Sequence, residues 1–159
     1  MIEASEFRRV MGHFATGVTV VTATRGDGSA CGLTVNAFAS VSLEPPLILV
    51  CIERGADSHG CIRAAGAFAV NVLDEKRGER LSRRFAAWDV EEKLRGVAYR
   101  AERTGAPVLE DALAWLDCRI HDVIDAGDHS IFLGEVVAAD AREGAPLVYY
   151  RGGYGRFVP

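Results

Sequence analysis

The sequence predicts a mainly β fold: an antiparallel barrel, closed or nearly closed, with a few short helices at its margins. Short runs rich in Val, Ile and Thr recur along the chain. Most are joined by hairpin-type turn signals, and helical spacing is confined to brief stretches beside them. A doubly wound sheet fits less well, because hairpin signals rather than alternating helices join the strands; no G-x-G-x-x-G and no G-x-x-x-x-G-K-[ST] stretch is present, so a nucleotide would bind by other means.

Each element follows from its residues. Phe7, Val10, Met11 and Phe14 fall at i, i+3, i+4 and i+7, one face of a short opening helix. Gly17 leads into the β-branched run VTVVTAT, and Arg25-Gly26-Asp27-Gly28 turns it toward a second strand at Cys31 to Asn36. Pro45-Pro46 breaks any helix ahead of LILVCI, a continuous apolar strand of the kind buried on both faces. Ser58 is placed to cap a short helix through Ala65, and residues 67 to 73 form the next strand.

Residues 74 to 103 differ from the rest, with 16 charges in 30 positions, nine basic and seven acidic. They read as solvated helices or a lid. From Trp115 the period is two: Leu116, Cys118, Ile120 and Ile124 on one face, Asp117, Arg119 and His121 on the other. Ala126-Gly127-Asp128 turns the chain into IFLGEVVAA, and Pro146 precedes a last strand, LVYY, before a Gly-rich tail. Six or seven strands are expected, in a single domain over residues 1 to 159 without internal repeats.

Composition narrows the function. With 159 residues, 49% of them apolar, the chain buries enough core to stand without disulfides or a structural metal. A formal net charge of −4 argues against nucleic acid as a partner, since phosphate backbones need a basic surface. No apolar run nears the roughly 18 to 20 residues that span a bilayer, and the first ten residues lack the apolar core of a secretion signal. A cytoplasmic protein that does not engage membranes is expected. Cys31, Cys51, Cys61 and Cys118 contain no Cys-x-x-Cys pair and read as reduced, mostly buried thiols. His13, His59, His121 and His129 lack the spacing of a metal site, so no metal is expected.

Four stretches carry candidate chemistry. Gly32 to Pro46 mixes Thr34, Asn36, Ser40 and Ser42 with small and β-branched residues. Such a strand can lay backbone N–H and C=O groups along a flat heteroaromatic ring, or simply turn its hydroxyls to water. Ser82-Arg83-Arg84-Phe85 brings a hydroxyl, two guanidiniums and an aromatic ring into one helical turn, enough to grip a phosphate and cover a ring, or only to keep a helix solvated. Gly127-Asp128-His129-Ser130 presents an imidazole at a turn, where it can donate to a carboxamide or phosphate. The segment Tyr149 to Phe157 is rich in rings, glycine and arginine and suits either a dinucleotide or a plain terminal strand.

Taken in order, FRRVMGHFATGVTVVTA, GLTVNAFASVSLEPPLILVCI, AGAFAVNVL, LSRRFA, GDHSIFLGEV and PLVYYRGGY make the chain resemble the short-chain flavin reductase family nearly end to end. That family's fold is the FMN-binding split β-barrel, antiparallel and Greek-key-like. The resemblance implies a homodimeric NAD(P)H:flavin oxidoreductase that passes a hydride from NADH or NADPH to FMN or FAD. It also implies a partner, the large component of a two-component flavin-dependent monooxygenase acting on an aromatic compound, reached by diffusing reduced flavin. On this resemblance Thr34, Val35, Asn36 and Ala37, with Ser40, Val41 and Ser42, would line the isoalloxazine and ribityl chain. Cys51 and Ser58 would lie near the ring and phosphate, and Ser82, Arg84 and Phe85 would complete the flavin site. His129 would be the catalytic residue and, with Tyr150, Arg151, Gly152 and Gly153, would hold the nicotinamide nucleotide. A flavin-binding electron-transfer module that does not oxidise NADH is the alternative on the same barrel; His129 and the tyrosine-rich tail favour the enzyme.

Overall fold

The computed structural model describes residues 1–90 and 92–159, and among them twelve strands and three helices form. The first half holds α1 (Ala4–Met11), β1 (Thr16–Gly17), β2 (Thr19–Thr24), β3 (Ala30–Val35), β4 (Phe38–Leu43), β5 (Pro46–Glu53), α2 (Asp57–Ala65) and β6 (Ala67–Val72). The second holds α3 (Gly78–Ala86), β7 (Tyr99–Ala101), β8 (Pro107–Leu109), β9 (Ala114–Ala126), β10 (His129–Ala141), β11 (Leu147–Tyr150) and β12 (Gly153–Arg156).

Seven strands make one antiparallel sheet in the order β3-β2-β6-β9-β10-β5-β4, while β1, β11 and β12 make a second and β7 pairs with β8. The large sheet curls so that its two edge strands, β3 and β4, are joined by the two residues Asn36 and Ala37, and the Cys51 N–H donates to the Ala37 C=O at 3.0 Å as the β4–β5 ladder continues into that link. Val21, Val35, Val50, Phe68, Cys118 and Phe132 fill the space it encloses. A split barrel results, with its ends at β3 and β4.

A second apolar cluster lies on the outer face, where α3 and the segment leading to β9 cover the sheet: Val20, Leu73, Leu81, Phe85, Leu109 and Leu147. Strand β2 feeds both clusters, Val21 to the barrel and Val20 to the cover, so it is buried almost throughout. Each fully buried Phe or Val contributes ~1.5–3 kcal/mol of transfer free energy. Polar ties fix the cover. The Asn71 amide donates to the Val20 C=O at 3.1 Å and accepts the Leu109 N–H at 2.8 Å. No helix among the described residues is long and apolar enough to cross a membrane.

Several expectations change. Strand β5 is not buried on both faces: Ile48, Val50 and Ile52 point inward, and Leu47, Leu49 and Cys51 are half-buried between them. Asp117 does not face water; it is fully buried and accepts the Thr104 N–H at 2.8 Å and the Thr104 hydroxyl. Ile124 leaves the apolar face because Leu133 pairs with Asp122 but Gly134 with Ile120, so His121 is an extra residue. Such a bulge reverses the alternation beyond it, turning Val123 toward the core and Ile124 outward.

The Gly-rich tail becomes β12, hairpinned to β11 through Arg151 and Gly152, at φ 49° and 82°. Two successive positive φ values make the two-residue turn whose twist suits a hairpin. The cysteine reading is corrected as well. Cys31 and Cys61 form a disulfide, and only Cys51 and Cys118 are free thiols. Spacing along the chain carries no sign of this pair, because β3 and α2 are brought together by the fold.

Candidate active site

A cleft of ≈ 360 Å³ opens at the free edge of β3, between the first turn of α2, the end of α3 with the loop after it, and the β9–β10 turn. Small-molecule sites typically run about 300 to 1,000 Å³. β3 ends the sheet, and in an antiparallel ladder alternate residues turn their N–H and C=O groups away from the single neighbour. Gly32 is one of these: its C=O accepts the Ser58 hydroxyl at 3.0 Å. It must also be glycine, since a Cβ there would meet the Phe85 ring at 2.8 Å. The Phe85 ring thus packs directly on the strand and forms part of the cleft floor.

Ser58 was expected to cap α2. Instead Ala56 holds the N-cap position without a side-chain bond, and Ser58 stitches the first helical turn to β3. The first turn of α2 lines the cleft, and the partial positive charge of a helix N-terminus favours an anion nearby. Lys93 adds a positive charge on the opposite wall. Its Nζ donates to the Phe85 C=O at 2.9 Å, and burial pulls its pKa down, partly offset by Asp57.

Arg84 does not face the cleft. Its guanidinium donates to the C=O groups of Lys93 at 2.5 Å and Glu92 at 3.3 Å, and to the Arg95 C=O. It therefore holds the cleft-side loop in shape rather than offering a phosphate grip. Ser82 is fully buried, its hydroxyl 2.7 Å from the Tyr154 hydroxyl and its C=O accepting the Thr34 hydroxyl at 2.6 Å.

Of the other residues singled out in the sequence, Thr34, Val35, Asn36, Ala37, Cys51 and His129 line the cleft, together with Ser58 and Phe85. Burial pushes the Cys51 thiol up. His129 stands at the tip of the β9–β10 hairpin, its Nδ1 2.7 Å from Asp128 Oδ1, and that bond holds the Asp128 carboxyl below its usual range. Ser40, Val41 and Ser42 lie off the cleft on edge strand β4. Tyr150, Arg151, Gly152 and Gly153 also lie off it, at the β11–β12 turn, where the Arg151 N–H donates to the Gly12 C=O at 3.0 Å beside α1. Sequence reasoning missed Arg25, Asp57, Trp88 and Lys93, all lining the cleft. Only the lid reading of the charged segment pointed toward the last two.

The donor set fits a flavin. An unpaired strand edge suits the polar rim of a flat heterocycle, Phe85 and Val35 offer apolar contact, and Lys93 with the α2 N-terminus suits a phosphate. Residues 11–157 match the flavin reductase like domain. The chain belongs to that family.

Within the flavin reductase-like family, the chain is 44% identical over 159 residues to a flavin reductase of Pseudomonas putida, covering 99% of this chain and 92% of that one. It is also 44% identical over 158 residues to the reductase component of a 4-nitrophenol 4-monooxygenase/4-nitrocatechol 2-monooxygenase of Rhodococcus opacus, covering 99% and 83%. Its fold superposes with a TM-score of 0.89 on a Streptomyces globisporus C-1027 NADH:FAD oxidoreductase solved in complex with NAD and FAD fragments. That pair is 39% identical and covers 99% of this chain and 94% of the other.

Proposed function

We propose that the chain is an NAD(P)H:flavin oxidoreductase that supplies reduced FMN or FAD to a partner monooxygenase. The observation that carries this is the open edge of β3 facing a cleft with a cation and a helix N-terminus on its walls. The cofactor, when bound, supplies the hydride-accepting chemistry. What remains for the chain is positioning, which accounts for a large part of the barrier when reacting atoms are held close. In this reading the backbone of Thr34 to Ala37 orients the ring, with Cys51 beside it. Lys93 and the first turn of α2, with Ser58, hold the phosphate end. His129 stands where it can donate to the nicotinamide nucleotide that stacks on the exposed ring face.

We further propose a homodimer. The face of α1 is apolar yet uncovered, with Phe7 54% exposed; the helix ends at Met11, short of the Phe14 that its spacing had included, and Phe14 is 73% exposed, as Leu43 at the end of β4 is 96% exposed. An eight-residue helix with no buried side chain is not stable alone, so a second copy is its natural cover. Ser40, Val41, Ser42 and the Tyr150–Gly153 turn lie beside these residues, and the cleft they serve is the second copy's. The single-domain organisation over residues 1 to 159 and a cytoplasmic setting, where NAD(P)H is regenerated, complete the reading.

Titration with FMN and FAD tests it directly. The flavin absorption band is expected to shift, and NADH oxidation to depend on added flavin. An unchanged spectrum, with no flavin-dependent loss of NADH or NADPH, would sink the proposal.

A further inference from the structure

The Cys31–Cys61 disulfide has no part in hydride transfer, yet it ties two walls of the cleft together. It joins β3 to α2 across 30 residues of sequence. Cys31 and Gly32 line the cleft from the strand, and Ala56, Asp57 and Ser58 line it from the first turn of the helix. Cys61 follows Ser58 by three positions, which puts both side chains on one face of α2. They reach adjacent residues of one strand: the Ser58 hydroxyl donates to the Gly32 C=O at 3.0 Å, and Cys61 is bonded to Cys31. The wall therefore has two ties side by side, one covalent and one a hydrogen bond.

The rest of α2 is anchored without either. Ile62 is fully buried in the barrel core, and His59 Nε2 lies 2.9 Å from Ser130 Oγ. Opening the disulfide leaves the helix docked through Ile62 and His59 but leaves the Ser58–Gly32 hydrogen bond as its remaining side-chain tie to β3 among the described residues. A barrel with this core needs no staple. Moreover, an enzyme fed by NAD(P)H works where thiols are kept reduced, and disulfides in such surroundings are transient, catalytic or redox-sensing.

We propose that Cys31 and Cys61 form a reversible, peroxide-sensitive clasp on the cleft, fixing the α2 wall and slowing flavin exchange when joined, and freeing it when reduced. This rests on the reading of the cleft as the flavin site. The oxidant is hydrogen peroxide, which dioxygen generates from reduced flavin that no oxygenase has taken up. One thiolate attacks peroxide, the O–O bond breaks, and a sulfenic acid and hydroxide result, the hydroxide taking up the proton the thiol had released to become water. The second thiol then displaces that oxygen as a second water, forming the S–S bond, so two electrons pass from the two sulfurs to the peroxide oxygens. A dithiol reductant reverses the step by exchange. Peroxide reaches the pair through Cys61, which is half-buried, and the buried Cys31 beside the cleft is the second thiol. Cys118 cannot substitute, being fully buried with its thiol pushed up to about 12.

The full chain is prepared reduced with dithiothreitol and, separately, oxidised with hydrogen peroxide. Oxidation is expected to lower the intact mass by two hydrogens, with peptide mapping joining Cys31 to Cys61. FMN and FAD release, followed by the recovery of flavin fluorescence, is expected to be about fivefold slower from the oxidised state, the size of one modest tie. Cys61→Ser should release flavin at the reduced rate under both treatments, and the wild-type comparison stands even if that variant folds poorly. A disulfide that resists dithiothreitol in the native chain, equal release from both states, or a peroxide response that survives in Cys61→Ser overturns the clasp. Thiols that cycle in a chain binding flavin in neither state overturn the flavin reading, and the clasp with it.

Discussion

His129 occupies the tip of a hairpin whose strands are each 13 residues long and lines the cleft, with its Nδ1 beside Asp128 and no other side-chain hydrogen bond among the described residues. His129→Ala is expected to raise KM for NADH by about three- to tenfold, the worth of one hydrogen bond, and to lower turnover. Flavin affinity should stay the same, as measured by flavin titration beside steady-state kinetics. His59 gives a different residue-scale expectation. Burial lowers its pKa, helped by Arg63 and Arg54 and opposed by Asp125. Below the unfolded value of about 6.5 the unfolded chain takes up a proton that the native site resists. Stability is therefore lost as pH falls from about 6.5 toward the depressed native value, and a His59→Gln variant should show a flatter profile in denaturant titrations across that window. At this scale the sequence disclosed the strand residues Thr34 to Ala37 and the turn histidine, since small residues and a turn signal mark them. It could not disclose Lys93 or the Cys31–Cys61 pair, which depend on contacts between distant segments.

Among the elements, α3 and the loop behind it depend on one side chain. Arg84 gathers three backbone C=O groups from residues 92 to 95, so the wall bearing Trp88 and Lys93 is shaped from behind the cleft. Arg84→Ala is expected to leave the barrel folded while amide exchange across residues 87 to 90 and 92 to 95 speeds up and flavin KM rises several-fold. Arg84→Lys should not rescue it, because one ammonium cannot span three acceptors in a plane. The hairpins and the presence of α1 and α2 were readable because turn glycines, apolar spacing and β-branching act locally, whereas the Ser58 cap was not, since that hydroxyl is taken by the Gly32 C=O. The burial of β5 on one face only, the reversal within β9 and the pairing of β12 were not, because each is decided by what packs or pairs across the sheet. The charged stretch was rightly set apart from the barrel, and part of it does form a wall of the cleft.

For the whole molecule, the uncovered apolar face decides the assembly. Replacing Phe7 and Phe14 together by Ser is expected to shift the chain from dimer to monomer in sedimentation equilibrium and to reduce activity, while far-ultraviolet dichroism keeps its strand signature. A wild-type chain that stays monomeric at micromolar concentration and is fully active would remove the need for a second copy. The barrel class was legible because turn signals and strand lengths imply it, whereas the closure of its edge strands through the short link at Asn36 and Ala37 was not. The extra residue at His121 bears on the molecule as a whole. Its side chain is exposed, so almost any amino acid should serve there, whereas omitting the position would keep Val123 inside and Ile124 outside but remove the bulge, straightening the strand that aims the tip carrying His129. Spacing, not chemistry, is what that site contributes, and a survey judging importance by side-chain replacement would overlook it.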